Sequence, residues 1–286
     1  MDLLILPFDH RSSFAKKILG VEGNPNKAQI EQIKKLKRLV FDAFLKVRSE
    51  VEKPEELGIL VDEKYGAEII KEANQKEIIT SVGVEKSGVD VFDFEYGRKF
   101  GKHIEKLNPS YVKVLVRYNP ENAKENVKQL KRLEKLSKYC EKKGRKLLFE
   151  LLVPSTDADL AAGKDYDTEI RPEKTAIAIR EIREKVAVSL WKLEGFSTEG
   201  WRKVLEVIPE DKKVIVLGRG EDAERVRYWL TVAAEFDQII GFAIGRTIFM
   251  EPLISHLKNS LGKEETIKAI AVNYRNFVEI WREGRA

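Results

Sequence analysis

The sequence contains almost no cysteine, and this scarcity excludes several kinds of site. Cys140 is the one cysteine among 286 residues, so neither a disulfide framework nor a cysteine-based zinc site can form within one chain. The three histidines, His10, His103 and His256, lie far apart and lack the spacing of metal ligands. The sequence therefore predicts a protein that needs neither a metal nor a cofactor.

Long hydrophobic runs are also missing. No apolar run reaches the ~20 residues that a membrane-spanning helix requires. The N-terminus enters an apolar run at once, without the basic stretch or cleavage site of a signal peptide. These features predict a soluble cytoplasmic protein that has no membrane partner.

Charged residues are abundant but nearly balanced in sign. They make up 35% of the chain, above the globular average of about 25%. The excess of Lys and Glu is typical of heat-adapted proteins and so points to a thermophilic source. The net charge of +5, from 52 basic and 47 acidic residues, is spread along the chain. This distribution argues against a nucleic-acid partner and suits a small anionic substrate.

Eight short apolar runs recur along the chain, and most are separated by helical patterns of 3.6-residue period. The runs are Leu3–Phe8, Leu57–Val61, Ile78–Val82, Tyr111–Val116, Lys146–Val153, Val188–Leu193, Lys213–Leu217 and Ile239–Ile244. Nearly continuous apolar runs are typical of parallel strands that are covered on both faces. Eight strands alternating with helices predict an α/β fold, a (β/α)8 TIM barrel, as a single domain over residues 1–286. An open doubly wound sheet is the alternative.

The helical patterns also predict buried faces and long loops. One pattern runs from Asn26, a potential cap, to about Glu50. Others cover residues 122–143, 173–184, 221–234 and 264–281. The 122–143 helix is expected to bury Val127, Leu130, Leu133 and Leu136. Two long segments, 11–24 and 154–171, are predicted to be loops that cover a substrate at the carboxyl end of the strands.

Lys192 lies inside the sixth apolar run, which is an unusual place for a lysine. Burial of a lysine is costly because desolvation opposes its charge. A sequence keeps such a residue where the chemistry needs a neutral amine, usually to attack a ketone and form a Schiff base. A strand-end lysine that extends to solvent is the alternative interpretation.

Other polar side chains also fall within or after predicted strands. Lys113 and Glu150 lie in the fourth and fifth runs among apolar neighbours, so we expect both to be buried and paired. Asp9 follows the first run. Because barrel active sites form at the carboxyl ends of the strands, these residues are predicted to meet Lys192 there.

Glycines and arginines follow the last two strands, where barrel enzymes usually bind phosphate. The candidate phosphate-binding residues are Gly218, Arg219, Gly220, Gly245 and Arg246. The spacing of Gly218, Gly220 and Ala223 also matches a dinucleotide-binding fingerprint, but no second nucleotide-binding half is evident. Candidates for substrate binding are Arg11, Lys86 and Arg117, which suit a carboxylate, together with Glu194.

Six motifs resemble the family of 2-deoxy-5-keto-D-gluconate 6-phosphate aldolases of inositol catabolism. They are Phe8-Asp-His-Arg11, Val116-Arg-Tyr-Asn-Pro120, Phe149-Glu-Leu-Leu-Val-Pro154, Trp191-Lys-Leu-Glu-Gly195, Val216-Leu-Gly-Arg-Gly-Glu-Asp222 and Gly241-Phe-Ala-Ile-Gly-Arg-Thr247. Parts of these motifs are also similar, more distantly, to the class I tagatose-bisphosphate aldolases. The resemblance covers nearly the whole chain, although the kinase domain often fused to this family is missing.

The resemblance implies a metal-independent class I aldolase that acts on a phosphorylated keto sugar or keto sugar acid. By the matched positions, Lys192 forms the Schiff base, Glu150 moves protons with Asp9 as a second candidate, and Lys113 assists. We expect charge repulsion from Lys113 to favour the neutral amine of Lys192. The implied products are dihydroxyacetone phosphate and malonate semialdehyde. Alternatives are a catalytically silent sugar-phosphate-binding barrel that serves as a sensor or kinase partner, and another barrel lyase or isomerase; a homo-oligomer is also compatible with the sequence.

Overall fold

Eight parallel strands form a closed barrel in the computed structural model, which describes all 286 residues. The strands are β1 (Leu3–Pro7), β2 (Leu57–Val61), β3 (Ile79–Gly83), β4 (Tyr111–Arg117), β5 (Lys146–Leu152), β6 (Leu190–Glu194), β7 (Lys213–Leu217) and β8 (Ile239–Ala243). Each strand pairs with its neighbour in chain order, and β8 closes the barrel against β1 with Leu3 opposite Gly241. The predicted (β/α)8 barrel is confirmed, and the open-sheet alternative is wrong.

Eleven α-helices surround the barrel. They are α1 (Ser12–Leu19), α2 (Lys27–Arg48), α3 (Glu63–Gln75), α4 (Phe100–Leu107), α5 (Ala123–Lys142), α6 (Asp157–Ala161), α7 (Arg171–Arg183), α8 (Thr198–Leu205), α9 (Ala223–Ala234), α10 (Arg246–Leu257) and α11 (Lys263–Arg285). Short 3-10 helices occupy Pro54–Glu56 and Gly97–Lys99, and a π-helical turn spans Tyr166–Ile170. No helix combines the length and the apolar character needed to cross a membrane.

The predicted long helices are confirmed to within a few residues. Asn26 and Gln29 form a reciprocal capping box at the start of α2. The two segments predicted as loops are more ordered than expected. Residues 12–19 form α1, which buries Phe14, Ala15 and Ile18 on one face, and the second segment contains α6 and the π-helical turn.

One predicted core residue of α5 is wrong, because polar side chains occupy the buried face at its N-terminal end. Val127 is 55% exposed. Asn126 and Gln129 are buried instead, where they donate hydrogen bonds to the carbonyl oxygens of Asn119 and Arg117 at 2.8 and 3.0 Å. These side chains satisfy backbone groups of the β4–α5 loop that would otherwise be buried without partners.

Apolar side chains fill the lower part of the barrel and support a polar layer above it. The inner cluster consists of Leu3, Ile5, Leu60, Leu148, Leu190, Ile215 and Ala243. Side chains on one face of a strand recur every second residue. Two residues after Leu148 and Leu190, the same inner faces therefore present Glu150 and Lys192. A larger cluster of 76 buried residues packs the strands against the helices.

Candidate active site

A cavity of about 460 Å³ opens at the carboxyl ends of the strands. Lys113 on β4, Glu150 on β5 and Lys192 on β6 form part of its wall. Glu150 lies directly opposite Lys192 in the β5–β6 register. Asp9, which follows β1, reaches the same cavity from the other side of the barrel. The four predicted catalytic residues are therefore brought together.

Three carboxylates surround the ammonium group of Lys113. Its Nζ lies 2.9 Å from Asp9 Oδ2, 2.8 Å from Glu85 Oε1 and 2.9 Å from Glu150 Oε2, and the residue is 1% exposed. Burial opposes the charge of Lys113, but Asp9, Glu150 and Glu85 together outweigh burial and raise its pKa well above the usual value. Lys113 is therefore a permanently charged centre at neutral pH.

Lys192 has a different environment, with a single carboxylate partner. Its Nζ lies 2.8 Å from Glu150 Oε1, and the residue is 4% exposed. Glu150 thus binds both lysines, one through each of its oxygens. The Glu150 carboxylate lies between the two lysines and offsets the repulsion that the sequence led us to expect. The alternative of a solvent-extended Lys192 is wrong as well, since the amine is buried.

The carboxylates of Asp9 and Glu150 stay ionised despite their burial. Burial alone would raise the pKa of each group. In both cases the positive charge of Lys113 is the largest influence that opposes burial, and Lys192 adds to it. At Asp9, His10 acts in the same direction. These charges hold the pKa of each carboxylate below its usual range. Both groups are therefore proton acceptors at neutral pH.

Two residues on the cavity wall, His10 and Glu85, were not among the predicted site residues. Burial lowers the pKa of His10 to about 4, although Asp9 opposes this shift, so its imidazole is neutral at pH 7. Glu85 is 8% exposed and holds Lys113. In the sequence Glu85 is simply the first charged residue after the third apolar run, and only proximity to Lys113 distinguishes it from Lys86.

All five predicted phosphate-binding residues lie on the cavity wall. Gly220 has a φ of +84°, and a Cβ there would lie 2.4 Å from Arg246 Cζ, so the guanidinium group passes directly over this glycine. A Cβ on Gly245 would lie 2.0 Å from the Pro7 carbonyl oxygen. Arg246, the first residue of α10, donates a hydrogen bond to the Arg219 carbonyl. Gly220 thus lets the β7 loop approach the Arg246 side chain, and Gly245 lets the β8 loop approach the end of β1.

Arg219 is held by acidic side chains. Its Nη1 atom lies 3.0 Å from Asp167 Oδ1, in the π-helical turn, and 3.4 Å from Glu194 Oε1. Glu194 also accepts a hydrogen bond from the Val153 N–H group at 3.3 Å and lies 3.7 Å from Arg171 Nη1. Burial raises the pKa of Glu194, although Arg171 and Arg219 oppose the shift. A substrate contact was predicted for Glu194, but the residue does not line the cavity and supports Arg219.

The three cations predicted to bind a carboxylate differ in their availability. Lys86 and Arg117 are exposed on the cavity wall and form no ion pair. Arg11 also lines the cavity, but its Nη1 lies 2.9 Å from Glu95 Oε2 and its Nη2 donates to the Glu85 carbonyl at 2.5 Å. Arg11 therefore fastens the β3–α4 loop, and Lys86 and Arg117 are the cations free to meet a ligand.

The carboxylates of the site converge on an ammonium group. No group of three or more His, Cys, Asp or Glu side chains is arranged to hold a metal ion. The site contains Lys113, whose charge is matched by three carboxylates, and Lys192, a buried amine with one carboxylate partner. Groups that can bind anions lie on two sides of the cavity. Such a site can bind an anionic ligand and transfer protons close to a nucleophilic amine.

A family model described as "Uncharacterized protein conserved in bacteria (DUF2090)" matches residues 1–285. No curated protein shows a significant match. Among solved structures, the chain is similar to fructose-bisphosphate aldolase from Plasmodium falciparum, with a TM-score of 0.71, 12% identity and coverage of 98% of this chain and 90% of the other. It is also similar to a Corynebacterium glutamicum protein (TM-score 0.59, 15% identity, coverage 96% and 86%) and to the YdjI aldolase from Escherichia coli K12 (0.54, 10%, 98% and 91%). At these identities the likeness shows the barrel fold alone.

Proposed function

The chain belongs to the DUF2090 family, and we propose that it is a class I aldolase in which Lys192 forms a Schiff base with a phosphorylated keto sugar or keto sugar acid. The observation that carries this proposal is the unequal pairing of two buried lysines. Lys113 contacts three carboxylates, whereas Lys192 contacts only Glu150. Removing a proton from Lys113 would leave three anions without their cation, so Lys192 is the amine that can become neutral and attack.

Glu150 is placed to accept the proton that Lys192 must lose. The neighbouring lysines hold the pKa of Glu150 below its usual value, so Glu150 carries this proton only transiently. Attack of the neutral amine on the substrate ketone then draws this transfer forward. Protonated Glu150 then returns its proton to the hydroxyl of the carbinolamine, which leaves as water and gives an iminium ion.

Cleavage requires a base for the substrate hydroxyl that becomes the aldehyde. Glu150, again a carboxylate, and Asp9 both line the cavity and are candidates. When the hydroxyl loses its proton, the carbon–carbon bond breaks and its electron pair moves to the iminium nitrogen, giving an aldehyde and an enamine. Protonation of the enamine and hydrolysis release the second product and restore Lys192. Lys113 keeps both carboxylates oriented and favours their ionised forms between the proton transfers.

The remaining cavity groups suit the two ends of an anionic substrate. Arg246 and the backbone N–H groups of the β7 and β8 loops provide a phosphate site next to the N-terminus of α10. Lys86 and Arg117 are available for a carboxylate. The resemblance to 2-deoxy-5-keto-D-gluconate 6-phosphate aldolases supports this substrate and a place in inositol catabolism, with dihydroxyacetone phosphate and malonate semialdehyde as products.

The fold gives independent but coarser support. The Plasmodium falciparum and Escherichia coli proteins that share this barrel are both aldolases. Because one barrel fold hosts many reactions, the fold is compatible with the proposal without selecting it. The pairing of Lys192 with Glu150 is the observation that supports aldol chemistry through an amine.

Borohydride trapping tests the proposal directly. Borohydride should attach a phosphorylated ketose irreversibly to the protein, and peptide mass mapping should locate the adduct on Lys192. Lys192→Arg should abolish adduct and cleavage together, because arginine stays protonated and cannot form an imine. Circular dichroism would establish that this variant is folded, and activity should survive a chelator.

The location of the adduct separates the alternatives. An adduct on Lys113 or Lys86 would retain the aldolase but overturn the assignment of Lys192. Tight binding of sugar phosphates with neither adduct nor cleavage would instead favour a silent sugar-phosphate-binding barrel.

A further inference from the structure

Lys37 is a buried lysine that lies outside the cavity and has no part in the proposed chemistry. It projects from α2 and is 0% exposed, with its Nζ 5.4 and 5.5 Å from the ring centres of Phe14 and Tyr65. A buried ammonium group is costly unless each of its donors is satisfied. A buried Lys37 is therefore expected to hold acceptor groups of the protein.

The ammonium group binds the chain on both sides of Asp9. Its Nζ donates to the carbonyl oxygens of Phe8 at 2.7 Å and His10 at 3.0 Å, and it forms an ion pair with Asp62. All three donors of the lysine are thereby used. Asp62 also accepts a hydrogen bond from the Tyr65 N–H group and so caps α3. One side chain thus joins α2, the end of β1 and the start of α3.

The location of these carbonyls explains why they need an external donor. β1 ends at Pro7, and the N–H group of Phe8 makes the next bond, to the Leu60 carbonyl at 2.8 Å. Beyond that point the chain leaves the barrel, and the carbonyl oxygens of Phe8 and His10 accept hydrogen bonds from Lys37 instead. The peptide between them carries the Asp9 carboxylate, which lies 2.9 Å from Lys113.

We propose that Lys37 is a positioning residue that fixes Asp9 and His10 in the wall of the cavity. The inference rests on the proposed function, because it assigns Lys37 a kinetic effect through Asp9. Positioning of this kind acts on the reacting state, since a misplacement of about 1 Å can cost roughly 10²-fold in rate. The phosphate-binding residues lie after β7 and β8, and none of them is a hydrogen-bond partner of Lys37, so substrate affinity should change little.

The experiment compares Lys37→Met with the paired variant Lys37→Met/Asp62→Asn. The single variant leaves the Asp62 carboxylate buried without a cation and is expected to be unstable. The paired variant removes both charges and keeps an oxygen to cap α3. Lys34→Met, one turn away on the exposed face of α2, is the matched control and should behave like the parent protein.

The paired variant should lower kcat by about 10–100-fold and leave KM within about threefold. In an Asp9→Asn background the same pair should reduce kcat by less than about threefold more, because its effect passes through Asp9. Unchanged kcat in the folded paired variant would overturn the proposal. The proposal would also be overturned if the paired variant lowered kcat by the same factor in the Asp9→Asn background as in the parent protein.

A second measurement does not depend on activity. The groups that face His10 are Asp9, Arg246, Lys192 and Lys37, and the pKa of His10 is about 4. In the paired variant the NMR titration of His10 should move up towards its usual range. Of the two charges removed, Lys37 is the one that acts on His10, and without its bond to the His10 carbonyl the ring is less firmly held in its buried position. If the parent shows neither cleavage nor trapping, the proposed function fails, and this titration still decides the role of Lys37: an unchanged His10 midpoint in the folded variant overturns it.

Discussion

Lys113 and Lys192 are similar in sequence context but differ in the number of carboxylates that each contacts. Both interrupt apolar strands and both are nearly inaccessible to water. Three carboxylates saturate Lys113, whereas Glu150 alone contacts Lys192. At the scale of single residues, this difference makes Lys113 a fixed charge and Lys192 the candidate nucleophile. Glu150 contacts both lysines and so links them.

The link predicts a large kinetic effect for Glu150→Gln. The amide cannot accept the Lys192 proton or return it to the carbinolamine, so kcat should fall by about 10²–10⁴-fold. Because Lys192 is intact, borohydride should still trap an adduct over longer times. Steady-state kinetics and mass mapping measure both effects, and activity within a few fold of the parent would show that another group moves the proton.

Lys113→Met should destabilise the protein in a pH-dependent way. It leaves Asp9, Glu85 and Glu150 in a buried site without their shared cation, and breaking a buried pair costs about 3–5 kcal/mol. Lys113 helps to hold the pKa of Asp9 and Glu150 below the usual values of 3.8 and 4.5. In the parent this stabilisation is fully present above those values and is lost as the pH falls through the lower folded-state pKa values.

The free energy of unfolding, measured by denaturant titration, should therefore differ most between parent and variant near pH 7. The difference should shrink as the pH falls below about 4, because carboxyls that can protonate no longer need the cation. Lys138→Met, which breaks the exposed pair with Glu134, is the control and should change stability by less than about 1 kcal/mol. A constant difference at all pH values would contradict this account of Lys113.

At the scale of elements, the β7 and β8 loops work as one unit because glycine lets them touch. Gly220 adopts a left-handed backbone conformation and leaves room for the Arg246 guanidinium group. Arg246 in turn donates to the Arg219 carbonyl. The Arg219 side chain is tied to Asp167 of the π-helical turn, so the segment that follows β5 is fastened to the phosphate loops.

Gly220→Ala should displace Arg246 and weaken phosphate binding. The added Cβ would lie 2.4 Å from Arg246 Cζ, so the guanidinium group must move. Loss of a charged hydrogen bond costs roughly 1.5–3 kcal/mol, which corresponds to an increase in KM for a phosphorylated substrate of about 10–100-fold. Arg246→Ala should raise KM similarly.

Gly144→Ala separates this effect from backbone strain. Gly144 also has a positive φ, +60°, but a Cβ there would meet nothing within 4 Å. Both alanine variants should lose about 1–2 kcal/mol of stability from the left-handed conformation. Only Gly220→Ala should raise KM, and equal KM values for the two variants would contradict the proposed phosphate site.

At the scale of the whole molecule, the net charge is only +5, but cations are concentrated locally in the wall of the cavity. The basic residues of the cavity wall are Arg11, Lys16, Lys86, Lys113, Arg117, Lys192, Arg219 and Arg246. The acidic partners of Lys113 and Lys192 lie deep in the cavity, whereas Lys86 and Arg117 are exposed and free of ion pairs. The cavity mouth should therefore attract anions more strongly than the net charge suggests.

This charge distribution predicts a salt-dependent reaction. The value of kcat/KM for a phosphorylated substrate should fall by about tenfold between low and high ionic strength, because mobile ions screen the exposed cations. Lys86→Met/Arg117→Met should flatten that dependence. Lys142→Met/Lys143→Met, which removes two exposed lysines at the end of α5 that leads into β5, should leave it unchanged. If the dependence of kcat/KM on ionic strength is unchanged in Lys86→Met/Arg117→Met, these two cations do not attract the substrate.

The architecture and three of the reactive side chains could be predicted from local patterns alone. Continuous apolar runs mark the strands because each strand is covered on both faces. Lys113, Glu150 and Lys192 stand out because a charge within such a run opposes burial. Where a side chain combines polar chemistry with an ordinary loop context, as Glu85 and His10 do, no local signal separates it from its neighbours.

The sequence by itself determined the eight strands and favoured a buried Lys192, since strand periodicity and the cost of burying charge are properties of short segments. Only the tertiary structure decided which carboxylates meet which lysine. Asp9 and Glu85 reach Lys113 from 104 and 28 positions away, and Glu194, despite its place beside Lys192, turns to Arg219. Such contacts depend on how the barrel closes and how its strands align, and a one-residue change in register would place every second side chain on the opposite face.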